Sequence, residues 1–586
     1  MEEGSKNKEK LIQEEERMIE MTEMQYIDDV KALDRTLSKV EGSNRYSRIL
    51  IIQGMISMFA CAYNMFSLGF LNSLPKFYCP VDGEFKLVPE VEACKQISQC
   101  RVEYFYEGWV KHYDMLCDNR NSRVFYVSLI FVINAMVFLG LSAIADIFGR
   151  NMILKLATLI ASVGTFLIYY IDNYGAKIII FGAVTGTNSI FQMMFTLGLK
   201  EAIHSGSDFN IYMNAVLNCA YNAGPIFVAF LAYAIKDYTY LSLSGSLMVI
   251  LGTVGNFFFF NETPLFLYKK KQANEFIQKL FLLSKINSVT TSKKSILRQL
   301  ITDEIEFRKK QKLVIPKEGV KKTVILTNIS PVVSPAITPP DNEKSPQIPP
   351  QAGPIELDDL QFSQLEMING SSGANSQSKN EKKPHLSVEK QLEAEREQMK
   401  EDRNLVWVTV VLCYWCSSLY LVNYGTIISI DKSGMDNLFI NAALLGISSV
   451  IGYGVCLKFP KNVKRITTIS WIIISLLAFS VFILLLDLFS GQSPFIKVVK
   501  SICTVGIMPI MVGMGFSVMY LYLPDVYPVT LRGLGIGVVI CMGKVFGGAC
   551  SAYISNFMNQ LGLNPIAGCA IPGLVLLALL RTVPDA

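Results

Sequence analysis

The feature that most constrains this chain is the recurrence of long, uncharged apolar runs. Eighteen or more such residues in succession call for a bilayer as solvent, and there each backbone N–H and C=O must be paired inside the segment, as in an α-helix. Twelve windows qualify, at about 49–73, 124–145, 152–171, 177–199, 212–235, 240–260, 405–430, 436–457, 466–487, 501–523, 533–554 and 565–582. They fall six and six about a polar stretch from Asn261 to Asn404. Composition agrees, with 51% apolar and 18% charged residues against about 25% charged in a soluble protein. The expected fold is an all-α membrane protein of twelve transmembrane helices in two six-helix bundles. Its parts are a charged N-terminus 1–48, a first bundle 49–260, a central loop 261–404 and a second bundle 405–586.

Topology follows from charge and cysteine. The first 44 residues are highly charged and the first apolar run starts near Ile49, which predicts a cytosolic N-terminus without a cleaved signal peptide. Arg45, Arg48, Arg150, Lys155, Lys458, Lys461, Lys464 and Arg465 fall on the same side under an even span count, placing both termini and the central loop in the cytosol. Cys79, Cys94, Cys100 and Cys117 crowd into the loop between spans one and two. They predict a disulfide-stapled ectodomain at 74–123 with three possible pairings, free thiols or a zinc site being the alternative. The central loop reads as a flexible Pro-rich tether open to cytosolic proteins, with helical patterning at Pro264 to Lys285 and Leu386 to Arg403. The triplets at Asn261, Asn328 and Asn369 then face the cytosol and are expected to be unmodified.

Several stretches carry a resemblance. "SAIADIFGRNM", through Asp146, Gly149 and Arg150, resembles the loop between helices two and three of the major facilitator superfamily. "NETPLFLYKKKQANEFIQKL", through Glu262 and Pro264, is similar to a segment of sugar porters and organic ion transporters. "YLYLPDVYPVTLRGLGIG" resembles an organic cation and anion transporter pattern through Tyr520, Tyr522, Tyr527, Pro528, Arg532 and Gly535, with Asp525 replacing a glutamate. Tyr424, Gly425, Asp436 and Asn441 extend the likeness. The resemblance implies two pseudo-symmetric bundles around a midplane site, with Asp146, Gly149, Arg150, Glu201, Glu262, Asp525 and Arg532 as conformational-switch loops. Two departures predict a partly eroded charge network: "KFPKNVKRI" lacks the D-x-x-G-R core, and nothing basic follows Glu201 before Tyr212.

Lys544, in "GVVICMGKVFGG", is the one ionisable Asp, Glu, Lys, Arg or His deep inside a window. A P-loop is excluded, because five residues separate the first glycine from the Gly-Lys pair and Val545 follows the lysine. At ~1.5 Å per residue the lysine lies about 15 Å from either helix end, and its insertion costs on the order of 2.5–3.5 kcal/mol. The expected compensation is a water-filled cavity, backbone carbonyls or a mobile anion. By the resemblance, Lys544 stands where organic anion transporters tend to carry arginine. A structural role is the alternative, and Gly543 and Gly547 at small-xxx-small spacing suit close helix packing. Asn214, Asn218 and Asn222 share a helix face, suited to interhelical bonding or substrate contact. Tyr414, Trp415, Tyr420 and Tyr424 offer aromatic surface, and Met508, Met511 and Met514 an adaptable wall, although packing suffices for either set.

The sequence thus predicts a non-enzymatic, multi-pass transporter of a small organic anion in the plasma membrane or an endomembrane. It works by facilitated diffusion or exchange, with a counter-ion possible. The expected substrate residues are Lys544, Asn218, Asn222, Tyr420, Tyr424 and Met511. No metal, cofactor or nucleic acid is expected; basic runs such as Lys269 to Lys271 and Arg308 to Lys312 suit water or anionic lipid. The alternatives are a carrier of cations, zwitterions or sugars, and a ligand sensor or adaptor signalling through the central loop.

Overall fold

The computed structural model describes residues 37, 45–81, 83–88, 90–202, 209–270, 273–289, 388–430, 437–456, 465–489, 494–527, 531–561, 563–565, 568 and 575. Among these, eleven helices are long and apolar enough to cross a membrane. The first six are α1 (Arg45–Leu71), α2 (Arg120–Phe148), α3 (Arg150–Tyr170), α4 (Tyr174–Ala202), α5 (Phe209–Ile235) and α6 (Tyr238–Phe259). The second group is α7 (Leu405–Ile428), α8 (Leu438–Cys456), α9 (Arg465–Phe489), α10 (Phe495–Val526) and α11 (Arg532–Gln560). Most of the twelfth expected span lies outside the described residues. So do the Pro-rich tether, Lys458, Lys461, Lys464, Asp436, Pro528, Asn328 and Asn369.

Helix ends follow local chemistry. Asp237 caps α6 by accepting from the backbone N–H groups of Thr239 and Tyr240 at 2.7 and 3.4 Å. α10 starts earlier than its apolar window, and Lys500 in that added stretch pairs with Asp487 of α9. Beyond α6, Pro264–Lys269 and Ala273–Ile286 are helical, as the patterning predicts. Residues 313–401 form a separate unit, of which 388–401 are described and helical.

In the first bundle α1 packs on α4, α5 and α6, while α4 also receives α2 and α3. In the second, α10 packs on α8 and α9. The bundles meet along two seams, α5 with α8 and α2 with α11. Small residues let the backbones approach there: a Cβ on Gly537 of α11 would sit 2.1 Å from Ser142 Oγ of α2.

Between α1 and α2 lies a small lobe. Strands β1 (Lys76–Val81), β2 (Glu84–Val88) and β3 (Arg101–Glu103) form an antiparallel sheet in the order β2-β1-β3. Of the three pairings open to its cysteines, the lobe has Cys79–Cys100 and Cys94–Cys117. Its core is small, built on Phe77, Ala93, Val110 and Leu116 around Cys79, and two crosslinks compensate for so little apolar burial.

Candidate functional site

Lys544 sits where α11 departs from regular geometry. Residues Gly543–Ala549 form a π-helical turn, a rare widening often found at functional sites. The lysine is 1% exposed. Its Nζ donates to Asn134 Oδ1 of α2 at 2.7 Å and to Ser189 Oγ of α4, and it lies 4.9 Å above the Phe138 ring. The compensation is thus neither of the fixed or fluid forms expected from sequence but two neutral side chains of the opposite bundle, aided by a ring face. Among the described residues no carboxylate pairs with Lys544. Asn134, itself 1% exposed, gives its carbonyl oxygen to the lysine and leaves its Nδ2 buried without a partner. A further N–H donor therefore lies beside the ammonium.

A polar relay crosses the bundles beside it. Tyr420 and Tyr424, one turn apart on α7, stack at 5.2 Å, and Tyr424 meets Phe131 of α2 at 4.3 Å. The Tyr420 and Tyr520 hydroxyls are 3.2 Å apart, and Tyr520 donates to Gln192 Oε1 at 3.0 Å. Gln192 Nε2 donates to Asn218 Oδ1 at 2.6 Å. Asn218 and Asn222 each donate to the carbonyl one turn earlier, at 2.7 and 2.9 Å, and Asn214 Nδ2 reaches Ser517 O of α10 at 3.3 Å. The asparagine face thus makes interhelical bonds, and Tyr420, Tyr424, Asn218 and Asn222 are joined through this relay, whose Tyr420 packs against Gly543 and Gly547 on either side of Lys544. Met511 is partly buried on α10 against the core. Gly543 and Gly547 bring α11 against α7, where a Cβ would lie 2.5 Å from Cys416 Sγ and 2.6 Å from Ser417 O respectively.

Sequence reasoning missed Asn134, Ser189 and Gln192. The signal for Asn134 was available, since it is the one Asn or Gln between Val124 and Phe148. Ser189 and Gln192, three apart on α4, share a face that only the fold reveals as an interface.

The seven switch-loop residues converge at the bundle end opposite the disulfide lobe. Arg150, 2% exposed in its side chain, lies 3.3 Å from both Asp146 and Glu201. Glu201 also accepts from Thr263 Oγ1 at 2.6 Å and stands 3.9 Å from Arg532 of α11. Asp146 accepts the Leu534 N–H at 2.8 Å, and Lys200 pairs with Asp525. Glu262 accepts the backbone N–H groups of Arg150 and Asn151 at 3.0 and 3.1 Å; burial pushes its carboxyl up from the ordinary value against the pull of those bonds. The erosion expected around Glu201 is made good in space, because Arg150 and Arg532 supply its cations. The second-half loop 457–464 lies outside the described residues.

Two bundles joined by two seams, with a buried polar layer between and a charged lock at one end, are the frame of a secondary carrier. The chain belongs to the major facilitator superfamily, whose model matches residues 124–552. Among curated proteins, two described as "Solute carrier family 22 member 15-like" are similar: one from Xenopus tropicalis at 26% identity and one from Xenopus laevis at 25%, each over 173 residues. Those matches cover 29% of this chain, which spans about a third (34%) of the length of either relative. Among solved structures, the proton:xylose symporter XylE bound to 6-bromo-6-deoxy-D-glucose shares the fold, with a TM-score of 0.53 at 10% identity over 93% of this chain and 97% of that one.

Proposed function

We propose that this transporter moves a small organic anion by alternating access, with Lys544 as the counter-charge. One observation carries the proposal. A buried ammonium between the bundles is held by neutral groups alone, and beside it Asn134 keeps an unpaired N–H donor. A carboxylate entering this layer gains a charge-assisted bond that no fixed acid contests, whereas a cation meets like charge. Asn218, Asn222, Tyr420 and Tyr424 line the same interface and receive the organic body, with Met511 as a yielding wall. The lock built on Arg150, Glu201 and Arg532 crosses the bundles, so it opens and closes with the cycle. The disulfide lobe faces the oxidising side and both termini the cytosol. Facilitated diffusion or exchange is the energetic mode.

The test is uptake of labelled organic anions and cations into proteoliposomes by the wild type, Lys544→Gln and Lys544→Arg. A charge-assisted bond of about 1.5–3 kcal/mol predicts a roughly 10- to 100-fold loss of anion flux for Lys544→Gln, with substantial retention in Lys544→Arg. Unchanged anion flux in folded Lys544→Gln makes the lysine structural. No flux of any solute by the wild type favours a sensor that signals through the central loop.

A further inference from the structure

A cavity of about 60 Å³ lies between the ends of α1, α2, α7 and α11 on the side of the disulfide lobe, away from Lys544. Its polar lining is Asn72, Arg123, Ser429, Ser555, Asn556 and Asn559. At roughly 10–15 Å³ per water it has room for about four waters, or for one carboxylate group or halide, not for a whole organic molecule.

Arg123 supplies its charge. The side chain is 9% exposed and pairs end-on with Glu90 of the disulfide lobe, itself 8% exposed. Nη1 and Nη2 donate to the two carboxylate oxygens at 3.0 and 2.9 Å, and Nη1 also donates to Met115 O at 2.9 Å. A guanidinium carries five N–H donors in a rigid fork, so three are used. The Nε–H and the remaining Nη2–H form the side-on edge, which has no acceptor among the described residues. That edge matches a carboxylate in bidentate geometry.

Donors on the other walls point the same way. Ser555, 2% exposed, has a buried Oγ without a partner that can donate to an anion, whereas Asn72 spends its Nδ2 on Leu68 O at 3.2 Å and turns only an acceptor oxygen to the cavity. Arg120 Nε donates to Asn556 Oδ1 at 2.8 Å, which leaves the Asn556 NH2 as a donor and brings a second cation to the rim. Arg120 and Arg123 together outnumber Glu90 by one charge. The walls come from both bundles, so an occupant touches the two halves that move against each other.

We infer that this mouth is a second anion site, in which Arg123 is the counter-charge and Glu90 is a built-in competitor for it. Ser555 lies eleven residues beyond Lys544 on α11, about 16 Å along the axis at ~1.5 Å per residue. An anion held at Arg123 is thus queued outside the central layer; that path role rests on the anion-carrier proposal, while the binding itself does not. The ligand chemistry is a single negative charge, from a solute carboxylate or from chloride.

The experiment measures equilibrium binding of radiolabelled benzoate to the purified full chain in nanodiscs, with and without competing chloride, beside proteoliposome uptake. Glu90→Gln keeps one of the two acceptors but removes the competing charge, so it is expected to tighten Arg123-dependent binding about tenfold. Arg123→Gln is expected to weaken it at least tenfold, and Arg123→Lys to fall between. A purely structural ion pair predicts no such opposition: if both neutral variants lose binding, or neither changes it, the site is refuted. Should Arg123→Gln not fold, Glu90→Gln decides by the sign of its effect. Lys544→Gln should cut uptake roughly 10- to 100-fold yet retain the Arg123-dependent binding. Loss of all benzoate binding in Lys544→Gln would leave one site and overturn the second. Arg123-dependent binding in a chain that transports no anion would sustain the site and sink the carrier proposal. Chloride displacement at Arg123 identifies the halide as an occupant, and displacement by carboxylates alone identifies the solute.

Discussion

Gly149 offers a stability test whose size can be worked from the structure. It joins α2 to α3 with φ 103° and ψ 160°, a region essentially reserved for glycine, where a side chain costs on the order of 1–3 kcal/mol. A Cβ there would also lie 2.3 Å from Glu262 Oε2, the carboxylate that accepts the first N–H groups of α3. Displacing that cap costs about 0.5–2 kcal/mol more. Gly149→Ala is therefore expected to destabilise the folded carrier by about 2–4 kcal/mol. Gly140 is the control: it lies nine residues earlier, inside α2, and a Cβ there meets nothing within 4 Å. Gly140→Ala should stabilise by about 0.5–1 kcal/mol through helix propensity. Thermal unfolding of the two variants in one detergent gives the answer, with opposite shifts in Tm relative to wild type. A Gly149→Ala protein melting with the wild type would refute both the strained turn and the Glu262 cap.

Three further outcomes follow from single contacts. Glu201→Leu strips the buried Arg150 of one of its two carboxylates, leaving Asp146, and takes Glu201 from Arg532; because Arg150 stays partly paired, the cost falls below the about 3–5 kcal/mol of a fully uncompensated buried charge and is read as a lowered Tm with loss of uptake. Gly547→Val forces a side chain to within 2.6 Å of Ser417 O and Tyr420 Cβ, so α7 and α11 separate at about 1–3 kcal/mol, and crosslinking between cysteines introduced on the two helices should fall. Non-reducing peptide mapping should recover Cys79–Cys100 and Cys94–Cys117; any other pairing contradicts the lobe described here.

The spans were legible because the requirement behind them is local: a run of uncharged apolar residues declares its solvent whatever it packs against. The lobe was half legible. Four clustered cysteines announce crosslinks, but choosing among three pairings needs the register of β1 against β3, which brings Cys79 near Cys100. The charge network misled because absence was judged along the chain. No base follows Glu201 closely, yet Arg150 lies 51 residues before it and Arg532 arrives from α11. In a bundle, the residue that completes an ion pair need only share a layer.

The same reason hid the partners of Lys544, the nearer of which in sequence order, Ser189, is 355 residues away and the other, Asn134, 410. Their identity also bears on the proposed mechanism. A fixed carboxylate would hold the ammonium by an ion pair, and an incoming anion would have to break that pair against its own like charge. An amide and a hydroxyl hold it more weakly, and each can turn to meet an anion instead of opposing it. Arg123 presents the contrasting arrangement, with a carboxylate already bound end-on and a free side edge. Under the proposed mechanism the central charge is the one handed to a ligand and the charge at the mouth the one shared, so substitutions that neutralise Glu90 should act on the mouth alone.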